Sequence, residues 1–370
     1  MRSSCTSTGV SEREISLLET KLRSAFTLPY TFPRAGTVSC EHVFPPALGQ
    51  FAPCWHPAGS TSLTLPRARK GHRRTAVTTD QLVHTLLGGL AIGCIYSLIA
   101  LGITMIIRAT EILHFAQGEM MMIGSMMGLS AYWLAEMPFI LVLMFGILGG
   151  GIISVLVEVL IYRQLGARRV ALINIIIATL GVSLVLQNVA RLTWGSEPLR
   201  YPALFASKGL IFAGFVVSPQ LIWIVILSTL MMGALMLFFH FTRLGIAMQA
   251  AAQDPNAARL MGVNVERATT LTFAVSGMMA GAAGVLLGSL FFASFNMGFT
   301  TGIKAFVAAT LGGLGSVPGA MIGGLLFGLI ETFSGALIST SYKDAIGMIV
   351  LILILLFAPM GLLTRPGRQV

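Results

Sequence analysis

The sequence predicts an all-α membrane protein, a polytopic helix bundle of about eight to ten transmembrane elements that include one broken, glycine-rich element. Of its 370 residues, 55% are hydrophobic and only 10% are charged, and the mean hydropathy is +0.84. Soluble domains carry about 25% charged residues. The apolar residues fall in long continuous runs rather than in the short alternating segments of a β-barrel, so the crossing elements are predicted to be helices.

Residues 1–78 differ from the rest of the chain. They are rich in Ser, Thr, Pro and Arg, contain no apolar run of membrane length and end near the basic cluster Ala68–Arg74. No basic region followed by an apolar stretch marks the start as a signal peptide. We expect a poorly ordered N-terminal extension or a start codon assigned too far upstream, with a regulatory domain as the alternative.

The net charge of +10 is unevenly distributed, because residues 1–78 hold ten Lys and Arg against four Asp and Glu. The basic excess lies in tails and loops beside apolar spans. This placement indicates contact with an anionic lipid surface and a positive-inside bias, and it argues against nucleic acid as a partner. The four cysteines show neither a CxxC pair nor a Cys/His spacing, so neither a metal nor a cofactor is expected.

Eight apolar spans follow and define a membrane domain over residues 79–370. They cover residues 82–107, 112–134, 138–161, 170–193, 220–241, 268–292, 303–335 and 346–364. The seventh span is too long for one crossing and contains GGLGSVPGA (Gly312–Ala320), which would break a helix. We therefore expect two shorter elements there, with the irregular backbone buried in protein or lining a cavity.

The orientation follows from the basic loops. Arginines from Arg163 to Arg169 mark one predicted cytoplasmic loop, and those from Arg243 to Arg267 mark another, two crossings later. Counting back from these loops puts the basic N-terminus outside, against the positive-inside rule. Either an early span is broken or the charges of the extension do not decide. Two crossings within residues 303–335 place the basic C-terminus inside.

The segment Arg243–Arg267 is the longest water-compatible stretch between spans. Asp254 suits an N-cap, Pro255 suits the first helical position and Gly262 suits the left-handed residue after a helix end. These signals predict a helix of roughly seven residues, about 10 Å long. Such a short helix is marginal alone. We expect it to contact the membrane domain or another protein, with an ordinary structured loop as the alternative.

Polar residues interrupt the apolar sequence at three places. Glu119 follows His114 and Gln117 in HFAQGE, and an acid there is costly in lipid, so it should face the bundle or a polar cavity. This cluster predicts a solute pathway or helix-locking site, or else a hydrogen-bond cluster at a helix start. Lys304 either lines the pathway or snorkels to the periplasmic surface. Ser316 lies in the glycine-rich break, where free backbone groups could contact a polar solute or close a gate.

The sequence contains no hydrolase or transferase constellation. A GxxxxGK[ST] phosphate loop is absent, and no cluster of His, Asp and Glu suggests a membrane enzyme. Glu158 and Glu331 are lone acids near span ends and are expected at an interface. A self-sufficient, proton-coupled transporter would instead use them, together with Glu119, to relay protons.

Three stretches together resemble a known family. Residues His114–Gly124 (HFAQGEMMMIG) are similar to the family's NFAHGE-type segment, residues Arg243–Gly288 to its cytoplasmic loop and following helix, and residues Gly302–Glu331 to its late glycine-rich element. The family is the LivH-type permease of branched-chain amino acid ABC transporters. The resemblance covers about residues 80–364. The sequence departs from it at His114 and Gln117, where the family has Asn and His, and in the long N-terminal extension, which the family lacks.

The resemblance implies an importer subunit without catalytic residues or cofactors, a multi-pass protein of the bacterial inner membrane. Its implied partners are two cytoplasmic ATPase subunits that hydrolyse ATP, a second, LivM-like permease subunit and a periplasmic substrate-binding protein. The implied solute is a branched-chain amino acid. The wider family also serves urea, short amides and other small organic solutes, so these stay open as alternatives, as does proton-coupled secondary transport.

The resemblance also implies a role for the loop 243–267. This loop resembles the coupling segment that docks on the ATPases in such importers. The matching positions are Gly245, Ala251, Asp254, Ala258 and Gly262.

Overall fold

The computed structural model describes residues 79–136, 138–167, 172–201, 210–212, 215–337, 342–357 and Gly361. The N-terminal extension and the predictions made for it lie outside these residues, as do Arg168, Arg169 and the basic C-terminus.

The described residues form a bundle of α-helices with one small β-hairpin. The helices are α1 (Thr79–Thr110), α2 (Gln117–Ala135), α3 (Phe139–Val157), α4 (Arg163–Ala167), α5 (Leu172–Trp194), α6 (Pro219–Phe241), α7 (Arg243–Gln253), α8 (Pro255–Leu260), α9 (Val265–Leu290), α10 (Met297–Gly312), α11 (Val317–Leu337) and α12 (Lys343–Phe357). A π-helix, Glu158–Tyr162, joins α3 to α4. The hairpin pairs β1 (Leu210–Phe212) with β2 (Phe215–Val217) antiparallel, between α5 and α6, and the all-α prediction did not include it.

Six helices of the described residues are long and apolar enough to cross a membrane. They lie within residues 81–110, 139–165, 173–194, 219–241, 265–290 and 317–337. Three further apolar helices, α2, α10 and α12, are 19, 16 and 15 residues long and pack among them. With these three, the number of membrane elements falls within the predicted range. The chain is a multi-pass membrane protein.

The predicted glycine-rich break is confirmed. Helix α10 ends at Gly312 and α11 begins at Val317, so the long seventh span is two helices. Gly313 and Gly315 have φ angles of +103° and +90°. These left-handed conformations are available to glycine at little cost but are strained for most other residues. The second span differs more from its prediction, because α2 begins only at Gln117 after a turn over residues 111–116.

Helix α9 lies at the centre of the bundle, where it packs against α1, α2 and α3. It approaches α3 through Gly277 and Gly281. A Cβ on Gly281 would collide with the carbonyl oxygen of Gly146, and a Cβ on Gly277 would collide with that of Gly150. The two helices therefore pack backbone against backbone, as small residues allow in membrane bundles.

Helices α5 and α6 form the periphery. Only 22% of the apolar window of each is buried, compared with 89% for α1. Their large exposed side chains include Ile177, Leu184 and Leu230. Such apolar surface on a membrane bundle is covered by lipid or by another protein.

The positively charged loops share one end of the bundle. Arg163 at the start of α4 forms a 2.5 Å ion pair with Glu266 in the first turn of α9. The end of α1 lies beside α7 and the start of α11 at the same end. We call this end, which carries Arg163, Arg243 and the α7–α8 segment, the basic end.

Helix α1 begins at the opposite end, because it runs antiparallel to α11. Ser97 of α1 donates a 2.7 Å hydrogen bond to the carbonyl oxygen of Met321, and Gly89 lies beside Leu329. Helices α1 and α2 are each continuous, so a helix break within them does not explain the conflict with the positive-inside rule. The start of the membrane domain therefore lies opposite the basic end.

Candidate functional site

Glu119 is fully buried in the first turn of α2 and holds the peripheral helix α5. Its Oε1 accepts hydrogen bonds from Ser183 Oγ at 2.8 Å and from Gln187 Nε2 at 2.7 Å. Its Oε2 has no hydrogen-bond partner among the described residues and faces Gly298 of α10, where an added Cβ would lie 2.5 Å away. The acid thus faces the bundle interior, as the sequence predicted.

His114 and Gln117 lie beside Glu119 and are also buried. The Nδ1 of His114 is 2.7 Å from the hydroxyl of Tyr162 in the π-helix, and Gln117 donates a 3.1 Å hydrogen bond to the carbonyl oxygen of Ser276 in α9. Among the described residues, His114 Nε2 and Gln117 Oε1 have no partner. We call His114, Gln117 and Glu119 the α2 cluster.

The α2 cluster opens onto a small cavity of about 10 Å³, which His114 and Gln117 line together with Phe299 and Phe306. This volume is about what one water molecule requires. The cavity lies where the turn 111–116 meets α10, and the ring of Phe115 packs against that of Phe306, tilted by 42° with centroids 5.9 Å apart. The arrangement combines buried polar atoms with an aromatic surface at the start of α2.

Sequence reasoning missed the partners of the α2 cluster. Ser183 and Gln187 are four residues apart in a largely apolar span, so they share one helix face. That four-residue spacing is the sequence feature from which these two partners could have been predicted. Nothing in the local sequence pointed to Tyr162, which reaches His114 from another helix.

Lys304 does not snorkel to a surface. Its Nζ lies 2.7 Å from Glu331 and 2.6 Å from Asp344, and its side chain is only 12% exposed. Lys343 adds a second cation 3.4 Å from Glu331. Glu331 is therefore not a lone acid, and that part of the prediction was wrong. Charges from α10, α11 and α12 meet here because the three helices pack side by side, which their separation along the chain conceals.

Glu158 also has a partner, contrary to the prediction of a lone acid. It lies in the π-helix with 4% of its surface exposed and accepts a 3.0 Å hydrogen bond from Thr270 of α9.

Ser316 caps α11 and lies apart from the α2 cluster. Its Oγ accepts a 3.2 Å hydrogen bond from the backbone N–H of Gly319, and its carbonyl accepts one from Ala320. Gly298, the neighbour of Glu119, is at the other end of α10. At 1.5 Å per residue, Ser316 is therefore about 20 Å away from Glu119. The structure does not bring Ser316 and Glu119 into one site.

The capped helix predicted in the loop 243–267 is confirmed as α8. The Oδ1 of Asp254 accepts hydrogen bonds from the N–H groups of Asn256 and Ala257, at 2.9 and 3.0 Å. Pro255 is the first helical residue, and Gly262 follows the C-cap with φ +84°. Each local signal therefore led to the structure it predicted.

Three predicted coupling positions face inward. Gly245, Ala251 and Ala258 are buried, and a Cβ on Gly245 would collide with the carbonyl oxygen of Phe238. Leu260 and Met261 point the other way and are 90% and 85% exposed. We call these two residues the α8 tip. Sequence reasoning missed the tip, although two large apolar residues directly before a helix-ending glycine were visible.

Comparison with known proteins identifies the family of the chain. Residues 85–355 match the family described as branched-chain amino acid transport system / permease component. The chain is 40% identical over 306 residues to the high-affinity branched-chain amino acid transport system permease protein LivH of Salmonella typhimurium, covering 76% of this chain and 95% of that permease.

A second relative is the corresponding permease protein BraD of Pseudomonas aeruginosa, 38% identical over 297 residues with the same coverage of both chains. The ribose import permease protein RbsC of Escherichia coli is more distant, at 28% identity over 48% of this chain and 58% of that permease. No solved structure gives a significant match. The matched region spans the helices from α1 to α12, and the chain therefore belongs to the family of branched-chain amino acid transport system permease components.

Proposed function

We propose that this chain is the membrane-spanning permease subunit of an ABC importer for branched-chain amino acids in the bacterial inner membrane. The family membership supports the transport role, and the names of the two similar permeases support the solute. In this proposal the chain hydrolyses no ATP itself. Two cytoplasmic ATPase subunits drive it, a second permease completes the path, and a periplasmic binding protein delivers the solute.

The observation that carries this proposal is the α8 tip. A helix capped by Asp254 and ended by Gly262 presents Leu260 and Met261, which are almost fully exposed at the basic end. Large exposed apolar side chains on a rigid element are typical of a protein contact. Ala258 anchors the same helix to the bundle. The coupling residues Gly245, Ala251, Asp254, Ala258 and Gly262 thus act mainly by placing the tip.

The proposed role of the α2 cluster is to hold α5 against the bundle beside the solute path. Glu119 binds two side chains of α5, while His114 and Gln117 leave one polar atom each without a partner near the small cavity. In the proposed mechanism, closure of the ATPases moves α8 and shifts the permease between outward-facing and inward-facing states. The cluster keeps α2 and α5 together during that change.

The test is uptake by the complete complex in liposomes. The permease, its co-encoded ATPases, the second permease and the binding protein are reconstituted, and entry of labelled leucine is measured. We expect uptake that requires ATP and persists when an uncoupler abolishes the proton gradient. Uptake by this chain alone, driven by a proton gradient, would identify a secondary transporter instead. Uptake of urea or an amide in place of leucine would contradict only the solute.

A further inference from the structure

A groove at the basic end is left without any assigned role. It has a volume of about 410 Å³ and lies between the ends of α1 and α6, helix α7 and the start of α11. Its lining includes Arg108, Met236, Phe239, Gln249, Val317 and Pro318. A narrower slot of about 30 Å³ continues it toward Met105, Met248 and Thr272. The groove therefore has one cationic side chain and a largely apolar interior.

Arg108 is the charged side chain that lines the described part of this groove. Among the described residues it forms no ion pair or hydrogen bond, although Glu111 is only three residues away. Its aliphatic stem lies over the glycine-rich break, with Cγ 3.7 Å from where a Cβ on Gly315 would be. Within the described part of the chain, no Asp or Glu lines the groove or the slot. A half-buried guanidinium in such surroundings favours a ligand that carries negative charge.

The rest of the groove adds to this preference. The positive end of the helix dipole of α11, a helix of 21 residues, lies at Val317 and Pro318, which line the groove. His240 also lines the groove, and it brings no negative charge that would repel an anion. The nine residues after Gly361 contain Arg365 and Arg368 and no Asp or Glu.

We propose that this groove binds an anionic phospholipid, with its phosphate at Arg108 and part of an acyl chain along Met236 and Phe239. One guanidinium group can donate two parallel hydrogen bonds to two oxygens of a phosphate. Basic pockets between transmembrane helices on the cytoplasmic side are suited to anionic head groups. The apolar lining distinguishes a lipid from a free anion, because an inorganic phosphate would leave Met236 and Phe239 uncovered.

The position of the groove gives the lipid a consequence. Its walls include α7, which leads directly into α8 and its tip, and the start of α11 beside the glycine-rich break. A bound lipid would brace α7 against α1 and α11. Any effect of the bound lipid on coupling to the ATPases rests on the function proposed above, whereas lipid binding itself does not.

The binding step is tested on the full-length chain by native mass spectrometry, with equal amounts of phosphatidylglycerol and phosphatidylcholine. We expect phosphatidylglycerol to be retained about tenfold better, since charge-assisted hydrogen bonds give differences of this order. Arg108→Gln should remove the preference and Arg108→Lys should keep part of it. The matched control Arg191→Gln, which removes a cation on α5, should behave as wild type.

A second variant separates loss of binding from loss of folding. Val317→Trp fills the groove and keeps Arg108, so it should also lower phosphatidylglycerol retention while leaving the cation in place. Equal retention of the two lipids by the wild-type chain, or an unchanged preference in Arg108→Gln, would overturn the proposal. Displacement of phosphatidylglycerol by millimolar inorganic phosphate would also overturn it, because the groove would then be a site for a simple anion.

Discussion

Substitutions of Glu119 distinguish a role in holding helices together from a role in handling charge. Because Ser183 and Gln187 both donate to its Oε1, the amide oxygen of Glu119→Gln can accept the same hydrogen bonds. We expect this variant to retain uptake and stability. Glu119→Leu leaves the buried Ser183 without its acceptor and the half-buried Gln187 with only its 3.4 Å hydrogen bond to Ser183 Oγ, at a cost of about 1–3 kcal/mol in the free energy of unfolding. Thermal unfolding in detergent and leucine uptake in the complete complex measure the two effects.

Ser183→Ala is the matched control for this prediction, because it removes one donor and keeps the acid. It should lie between wild type and Glu119→Leu in stability. Loss of uptake in Glu119→Gln at normal protein levels would show that the carboxylate handles charge, and the helix-locking role would be abandoned.

Lys304 allows a second prediction at the same scale. Removing one partner of a buried ion pair typically costs about 3–5 kcal/mol, because the other charge is left buried. Glu331 would keep Lys343 at 3.4 Å, so Lys304→Met should fall at the lower end of this range. The double variant Lys304→Met with Glu331→Leu should be more stable than Lys304→Met alone, since Asp344 is 69% exposed and can be hydrated.

Thermal unfolding of the single and double variants measures this coupling. Lys343→Met serves as the control, because Glu331 then keeps its closer partner, Lys304. If the double variant is less stable than Lys304→Met, the network contributes more than the pairing of two buried charges.

At the scale of elements, local signals were predictable and contacts between distant helices were not. Asp254, Pro255 and Gly262 each act within one turn of α8, so sequence rules were sufficient. The same is true of the break after Gly312. By contrast, Glu119 binds side chains 64 and 68 residues later. No periodicity within α2 or α5 contains that information, because it depends on how the two helices pack.

The α8 tip leads to a prediction about this element. Leu260→Ser together with Met261→Ser should leave insertion and stability unchanged, because both side chains are exposed. Truncating an apolar residue in the well-packed centre of an interface costs about 1 kcal/mol or more, whereas most interface residues cost less. We therefore expect the affinity for the ATPase subunits to fall by about tenfold or more, and solute-stimulated ATP hydrolysis to fall with it.

Gln253→Ala is the control, because Gln253 is also exposed but lies outside the α8 tip. Gly262→Val tests the geometry separately, because a β-branched residue resists the φ of +84° and should misplace the tip. Normal ATPase binding and hydrolysis in the tip variant would remove α8 from the mechanism.

At the scale of the whole molecule, composition and apolar runs were enough to predict a helical membrane bundle. They were not enough to predict which acids are buried, since Glu158 and Glu331 gain their partners only from the assembled fold. Nor could they show which helices are peripheral. In the sequence, helices α5 and α6 resemble the other apolar spans. Only the packing of the bundle shows that most of their surface is available to contact lipid or a partner protein.

The bundle as a whole leads to the last prediction, which concerns where the solute is chosen. In the described residues, the cavity beside the α2 cluster has a volume of about 10 Å³. Its lining includes the rings of Phe299 and Phe306 and the polar side chains of His114 and Gln117. Ligand pockets that bury a small molecule have volumes of about 300 Å³ or more. We therefore expect the purified permease alone to bind leucine only weakly, with Kd in the millimolar range or above, on the order of 4 kcal/mol of binding free energy or less. Isothermal titration of the permease and of the co-encoded binding protein measures this difference. Tight binding of leucine, isoleucine or valine by the binding protein alone would place specificity outside the membrane, whereas micromolar leucine binding by the isolated permease would place a selective site within it.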